Sequence, residues 1–235
     1  MTDGRTGRRV EVPEAGRALL RMRVCLPEPE DGGELAVAGL RVLLVADLLV
    51  RTLESGGRQV LYEVRADGDP AVVRRAVDTF GAHPPSGPVG VPGVTVCPAG
   101  LAGAEGVRVE VGGTGAEPGA LDGADPLAAR LALLGHGYRD PLRLTAAEVA
   151  EAGRTLVNWR RQVATWARQP SRPVPPEVTA RAERALADDL DTPGLLAVLR
   201  QAGTGPELAP GARFETFALL DRWLGLELTR EVGRD

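Results

Sequence analysis

The side chains best able to hold a metal ion or act as nucleophiles are few in this 235-residue chain. Two cysteines, Cys25 and Cys97, and two histidines, His83 and His136, are its only thiol and imidazole groups. None of them stands at a short spacing, such as Cys-x-x-Cys, that would indicate a metal site by itself. Each cysteine is therefore expected to behave as a small buried hydrophobic residue.

Basic chemistry in this chain depends entirely on arginine. All 28 basic residues are arginine, and lysine is absent. This composition excludes a Schiff-base lysine, a P-loop lysine and a lysine that neutralises phosphate charge in a transition state. The net charge of −4 also lacks the basic excess of nucleic-acid-binding proteins, so there is no strong nucleic-acid signal.

The elements that must position these residues fall into two kinds. In the first half, alternating apolar residues predict strands near 19–25, 59–65, 93–97 and 107–111, with helices over 38–53 and 69–80. This order is typical of a parallel sheet with right-handed crossovers. The Gly112-Gly113-Thr114-Gly115 segment is predicted to be a flexible loop, which either lines a ligand groove or only makes a turn.

The second half is predicted to be helical. Thr145 and Glu148 form a Thr-x-x-Glu capping box that opens a helix to about residue 168. Trp159 and Trp166 are expected to be core residues on this helix, and not an RNA-stacking pair. Further helices are predicted over 126–134, 177–187, from Asp191-Thr192-Pro193 onward, and near 214–224.

The sequence thus predicts an α/β fold, with a Rossmann-like parallel sheet unit followed by a C-terminal antiparallel helical domain. No apolar run reaches the roughly 18 residues of a membrane span, and no apolar signal segment follows the N-terminus. We expect a cytoplasmic protein without a membrane partner. The predicted divisions are a flexible arm (1–16), the sheet domain (17–125), the helical domain (126–228) and a tail (229–235).

One string resembles a known family. Residues 133–142, Leu-Leu-Gly-His-Gly-Tyr-Arg-Asp-Pro-Leu, and residues 188–193, Asp-Asp-Leu-Asp-Thr-Pro, are similar to segments of cysteinyl-tRNA synthetases and of the related mycothiol cysteine ligases. In that comparison the acids of the second string are helix-end and capping residues. The alternative is that they bind a divalent cation. Four segments of the first half resemble that family's catalytic domain in the same order: 21–25, 46–54, 92–97 and 109–113.

The resemblance implies an ATP-dependent cysteine ligase of the class I synthetase type, with a zinc ion as its metal. It places Cys25 and Cys97 at two of the family's zinc-ligand positions. The zinc site of that family also includes a His and a Glu ligand. His83, or Glu105 and Glu110, would have to complete the set here; otherwise the cysteines are inherited packing residues or a free pair. It also places Gly39, Arg41, Gly112 and Gly113 at ligand-binding positions, although Arg41 also suits a solvated helix charge.

The departures from the family concern catalysis. The HIGH signature would fall on residues 36–39, Ala-Val-Ala-Gly, which contain no imidazole. The lysine-dependent KMSKS loop has no counterpart, and neither does the zinc-site segment expected after Gly113. Whether the chain is an enzyme is therefore open, and the departures favour a non-catalytic paralog.

Three functions remain after this comparison. The first is a non-catalytic binding or accessory paralog that holds cysteine, a small thiol, a nucleotide or a protein partner. The second is an active minimal cysteine-dependent ligase or transferase with a non-standard phosphate site. The third is an interaction module associated with tRNA or a synthetase.

Overall fold

The computed structural model describes residues 1–10, 19–27, 35–67 and 69–234. These residues form two compact units: Met1–Glu117 with Tyr138–Leu144, and Pro118–Gly137 with Thr145–Asp235. This division follows contacts within the fold, and the domain boundary predicted between residues 125 and 126 stays a prediction. Residues 11–16 of the predicted arm lie outside the described residues. Residues 1–10 contact the sheet, where the Arg108 amide donates to the buried Asp3 carboxylate at 3.1 Å.

Apart from two three-residue strands that were not predicted, the elements follow the predicted order with small changes at their ends. The first unit contains β1 (Leu19–Cys25), α1 (Val37–Ser55), β2 (Gln59–Arg65), α2 (Pro70–Thr79), β3 (Val94–Pro98), β4 (Val107–Val111), β5 (Thr114–Ala116) and β6 (Leu142–Leu144). The second unit contains α3 (Pro126–Leu134), α4 (Ala146–Trp166), α5 (Pro176–Ala187), α6 (Thr192–Thr204) and α7 (Pro210–Leu224).

The main sheet is parallel throughout, in the strand order β2-β1-β3-β4. On one face of β1, Leu20, Met22 and Val24 are at most 4% exposed. They are buried because side chains alternate between the two faces of a strand and α1 packs against the sheet. The α/β fold and the Rossmann-like parallel sheet predicted from the sequence are confirmed.

The other face of the sheet carries an ion-pair network. The Arg23 guanidinium lies 2.6 Å from Glu63 and 2.8 Å from Glu105, and it donates to the Gly90 carbonyl at 2.9 Å. Glu63 also accepts from the Val89 amide at 3.1 Å. These contacts tie neighbouring strands to the segment that leads into β3, and they give Arg23 a structural role on this face of β1.

The prediction of a flexible loop at residues 112–115 is wrong for Thr114 and Gly115, while residues 112 and 113 lie outside any helix or strand. Thr114–Ala116 is a strand, β5, which pairs in parallel with Leu142–Leu144, β6. Each strand has only three residues, so no periodicity marks it in the sequence. The pairing partner is also remote along the chain, and local residue patterns carry no information about it.

The helix caps of the second unit agree with the sequence. The Thr145 hydroxyl and the Glu148 carboxylate form the predicted capping box at the start of α4. The Asp191 carboxylate accepts from the Gly194 amide at 2.9 Å, which confirms a capping role for this acid. α7 begins at Pro210, four residues before the predicted start at Phe214, because proline suits the first helical turn. None of the helices in the described ranges is long and apolar enough to cross a bilayer.

An aromatic cluster forms part of the core of this unit. Trp159 and Trp166 are 6% and 8% exposed, and each packs edge-on against Phe217, with ring centroids 6.0 and 5.1 Å apart. The predicted core role of both tryptophans is confirmed. Because their rings are covered, neither offers a face on which a nucleic-acid base could stack.

We expect the Glu63→Gln variant to be less stable near neutral pH and to lose less stability in acid. The Arg23 guanidinium holds the pKa of the Glu63 carboxyl below its ordinary value of 4.5. Such a carboxylate stabilises the fold above its unfolded pKa, and this contribution is lost as the pH falls through the folded pKa.

Urea unfolding at pH 7 and at steps between about pH 5 and 3 measures this effect. Glu105→Gln is the matched control, since Glu105 meets the same arginine but its side chain is 54% exposed. Equal pH dependence in Glu63→Gln and the unaltered chain would contradict the assignment.

Candidate functional site

The parallel sheet has one edge where ligands commonly bind. In open α/β sheets this is the carboxyl edge, at the point where the strand order reverses. Here the reversal lies between β1 and β3, because β1 is followed along the chain by β2 on one side and pairs with β3 on the other. Cys25 ends β1 and Cys97 is the penultimate residue of β3, so both predicted cysteines lie at this point.

The two cysteines occupy neighbouring positions at this edge. Each directly follows a residue of the register pair Val24 and Val96. Cys25 is half-buried, whereas Cys97 is fully buried beside the Arg108 side chain. Burial raises the pKa of both thiols, and for Cys97 the nearby Arg108 guanidinium opposes this only in part. Both cysteines are therefore expected to be neutral thiols at physiological pH.

The described residues do not complete a zinc site around these thiols. His83 contacts Asp47, Glu105 pairs with Arg23, and Glu110 pairs with Arg108. No group of three or more Cys, His, Asp or Glu side chains able to hold a metal occurs in the described ranges. Structural zinc sites use four protein ligands, and catalytic sites use three. Two thiols alone do not fit zinc, and we derive no chemistry from a metal here.

We expect the purified, tag-free chain to contain far less than one zinc ion per molecule. Elemental analysis by inductively coupled plasma mass spectrometry measures this content. The Cys97→Ser variant is the control, and its zinc content should equal that of the unaltered chain. One zinc per chain that is lost in Cys97→Ser would restore the cysteine pair as metal ligands.

Arg41 is not a solvated charge on the helix surface, and that interpretation is wrong. The residue is 1% exposed. Its guanidinium donates to the Thr114 hydroxyl at 3.0 Å and to the Asp140 carbonyl at 2.8 Å. Burial lowers the pKa of Arg41, although the nearby Asp140 acts in the opposite direction. The arginine predicted at a ligand-binding position thus donates to protein oxygens on β5 and on the segment before β6.

Gly39 lies in the first turn of α1, directly against the side chain of Leu35, which precedes the helix. A Cβ atom at this position would approach Leu35 Cδ1 to 2.5 Å. Glycine here lets Leu35 fold over the start of the helix. The residue has a packing role, and its predicted ligand contact stays a prediction.

Gly112 and Gly113 differ sharply in their surroundings. A Cβ atom on Gly112 would lie 2.4 Å from the Arg139 carbonyl oxygen and 2.6 Å from that of Asp140. The Gly112 amide donates to the Tyr138 carbonyl at 2.9 Å, and the Leu142 amide donates to the Gly113 carbonyl at 2.9 Å. A Cβ atom on Gly113 would meet nothing within 4 Å. Only Gly112 is required for close backbone approach, while Gly113 remains open to a ligand.

The Gly112→Ala variant is expected to lose stability, by about 1 to 3 kcal/mol, because the added methyl group meets fixed backbone atoms. Thermal and urea unfolding measure the loss. Gly113→Ala is the matched control, since it adds the same methyl group one residue later in open space. Similar stability of the two variants would refute the backbone contact.

A buried acid beside a histidine was not predicted as a site. The Asp47 side chain is fully buried and accepts from Arg51 Nε at 2.7 Å and from the His83 amide at 2.9 Å. His83 Nδ1 lies 2.7 Å from the same carboxylate, and the Tyr62 hydroxyl donates to the His83 carbonyl. The cluster fixes the chain after α2 against α1. The sequence feature that could have indicated this cluster is Asp47, a single aspartate within the apolar stretch 42–50 of α1.

The parallel strand order and the helices that connect the strands define a Rossmann-like α/β unit. No protein-family model matches the chain. The L-cysteine:1D-myo-inositol 2-amino-2-deoxy-alpha-D-glucopyranoside ligase of Streptosporangium roseum is 39% identical over 109 residues, 45% of this chain and 26% of that ligase. The ligase of the same name from Thermomonospora curvata is 37% identical over 113 residues (46% and 26%). That from Catenulispora acidiphila is 44% identical over 92 residues (38% and 20%).

The resemblance predicted from the sequence is confirmed. Over the matched residues the chain is a relative of the mycothiol cysteine ligases, which are similar to cysteinyl-tRNA synthetases. The chain spans about a quarter of the length of these ligases, 26% for the first two. Their activity and substrates are therefore considered for this chain only as proposals.

Proposed function

We propose that this chain is a non-catalytic relative of the cysteine ligases that works as a binding or accessory protein. The observation that carries the proposal is the burial of Arg41 in hydrogen bonds to Thr114 and Asp140. Adenylate formation places growing negative charge on the departing pyrophosphate, which requires cations or donors aimed at it. An arginine that is 1% exposed and bonded to protein oxygens does not supply them.

The segment that follows the sheet supports the same proposal. Residues 112–125 link β4 to α3 and contain no basic residue, whereas they contain Glu117, Asp122 and Asp125. The resemblance implies a lysine-containing loop that binds the phosphates, and this chain has no counterpart of it. Acidic side chains repel a polyphosphate, so this segment cannot replace the missing loop.

The ligand we propose for the carboxyl edge is cysteine or another small thiol, with a nucleotide as the other ligand class. The relatives are named as ligases of L-cysteine. Cys25 is half-buried at the edge, and Gly113 leaves open space close to the backbone. A small amino acid needs few contacts, whereas a triphosphate needs several cations, and Arg41 is already engaged by Thr114 and Asp140. The remaining possibility is that the chain, as an accessory paralog, binds a protein partner.

We expect no cysteine-dependent ATP–pyrophosphate exchange by this chain. The physical reason is the absence of an available cation at the predicted phosphate position. Radiolabelled pyrophosphate incorporation into ATP, with cysteine and magnesium present, measures the exchange. The Thermomonospora curvata ligase serves as the positive control, and circular dichroism verifies that the tested chain is folded.

Exchange above that of a Cys25→Ser variant would overturn the proposal in favour of a minimal ligase. Cysteine binding by calorimetry without exchange would support it directly. The two measurements together separate an inactive binding protein from an active enzyme.

A further inference from the structure

A basic cleft in the second unit lies outside everything described so far. It has a cavity volume of about 430 Å³, within the range of small-molecule sites. We call it the arginine cleft and define it by its lining residues: Arg161, Ala164, Thr165, Arg168, Glu231 and Arg234. Its charged lining consists of three guanidinium groups and one carboxylate.

One wall of the arginine cleft comes from the C-terminal end of α4. Arg161 and Thr165 are four residues apart on α4 and share one face, and Arg168 lies in the turn after the helix ends at Trp166. The Thr165 hydroxyl donates to the Arg161 carbonyl at 3.0 Å, which fixes its rotamer and leaves its oxygen able to accept. The Arg168 amide continues the helical turn by donating to the Thr165 carbonyl.

The opposite wall is held against α4 by buried contacts. Arg160, next to Arg161 but buried, donates to the Leu226 carbonyl at 2.8 Å and to the Glu227 carbonyl at 3.2 Å. Asp221 accepts from the Leu226 and Leu228 amides at 2.7 and 2.8 Å. Successive turns then carry the chain to Glu231 and Arg234. The cleft is therefore built by a fixed backbone on both sides.

The guanidinium groups of the cleft are not all neutralised by the protein. The guanidinium groups of Arg161 and Arg234 form no ion pair or hydrogen bond in the described part of the chain. Elsewhere on the same surface, Arg154 pairs with Glu151 at 2.6 Å and Arg230 with Glu227 at 3.8 Å. The described ion pairs therefore leave positive charge in the cleft uncompensated.

We propose that the arginine cleft binds the phosphate groups of a small polyphosphorylated ligand, such as pyrophosphate or a nucleoside diphosphate. Guanidinium groups present planar pairs of donors that match phosphate oxygens and bind them more tightly than ammonium groups of the same charge. The paired acids Glu151 and Glu227 interrupt the basic surface around the cleft. A nucleic-acid backbone follows a continuous basic stripe, so these acids favour a compact anion.

Calorimetric titration of the full chain with pyrophosphate, at about 0.15 M salt, tests the proposal. We expect one site, and about tenfold weaker binding in Arg161→Gln, because a charge-assisted hydrogen-bond pair is lost. Arg161→Lys should bind with intermediate affinity, since it keeps the charge but not the planar donors. Titration with a nucleoside diphosphate distinguishes a nucleotide ligand from free polyphosphate.

Arg154→Gln is the matched control, because it removes the same charge two turns earlier on α4 from a residue already paired with Glu151. It should bind pyrophosphate within about twofold of the unaltered chain. Equal weakening by Arg154→Gln and Arg161→Gln, or no binding by the unaltered chain, would overturn the proposal. Tight binding of tRNA that Arg161→Gln abolishes, without pyrophosphate binding, would instead assign the cleft to nucleic acid. The result is independent of the exchange assay, since no cleft residue lies in the sheet.

Discussion

The close approach of the Tyr138–Leu144 backbone to Gly112 is the contact on which the carboxyl edge of the first unit depends. It forms because Gly112 has no side chain, and its amide then donates to the Tyr138 carbonyl. The pairing of β5 with β6 follows from the same approach. The Asp140 carbonyl is brought over α1, where it accepts from Arg41. A single glycine therefore allows the second small sheet to form and determines what the arginine below it can bind.

The same contact supports the proposal that Arg41 does not serve a phosphate site in this chain. A buried arginine is costly unless its donors are satisfied. In Arg41 the Thr114 hydroxyl and the Asp140 carbonyl satisfy them, so the cation contributes to the fold. An arginine in an active site would have to keep these donors available for substrate. A guanidinium group that is bonded to protein oxygens cannot use the same donors for phosphate. The contacts of Arg41 with Thr114 and Asp140 are of the first kind.

Local patterns predicted most of the fold, and remote contacts account for what they missed. β1 was predictable because its apolar and charged residues alternate, and α4 because Thr145 and Glu148 mark its start. The cysteine pair was placed by resemblance, and the parallel register puts both residues at one edge. The burial of Arg41 could not be predicted, because its two acceptors lie 73 and 99 residues away. The contact of His83 with Asp47 spans 36 residues and depends on how the chain after α2 returns to α1.

The absence of lysine acquires a structural meaning from the buried arginines. Arg41, Arg130 and Arg160 are each at most 4% exposed, and each donates to backbone carbonyls. Arg130 binds the Leu224 carbonyl at the end of α7, and Arg160 binds the two carbonyls that follow Gly225. A guanidinium can serve several carbonyls at once because it carries five donors in a plane, which an ammonium group does not. The same donors are available to anions where arginines remain exposed, as they are in the arginine cleft of the second unit.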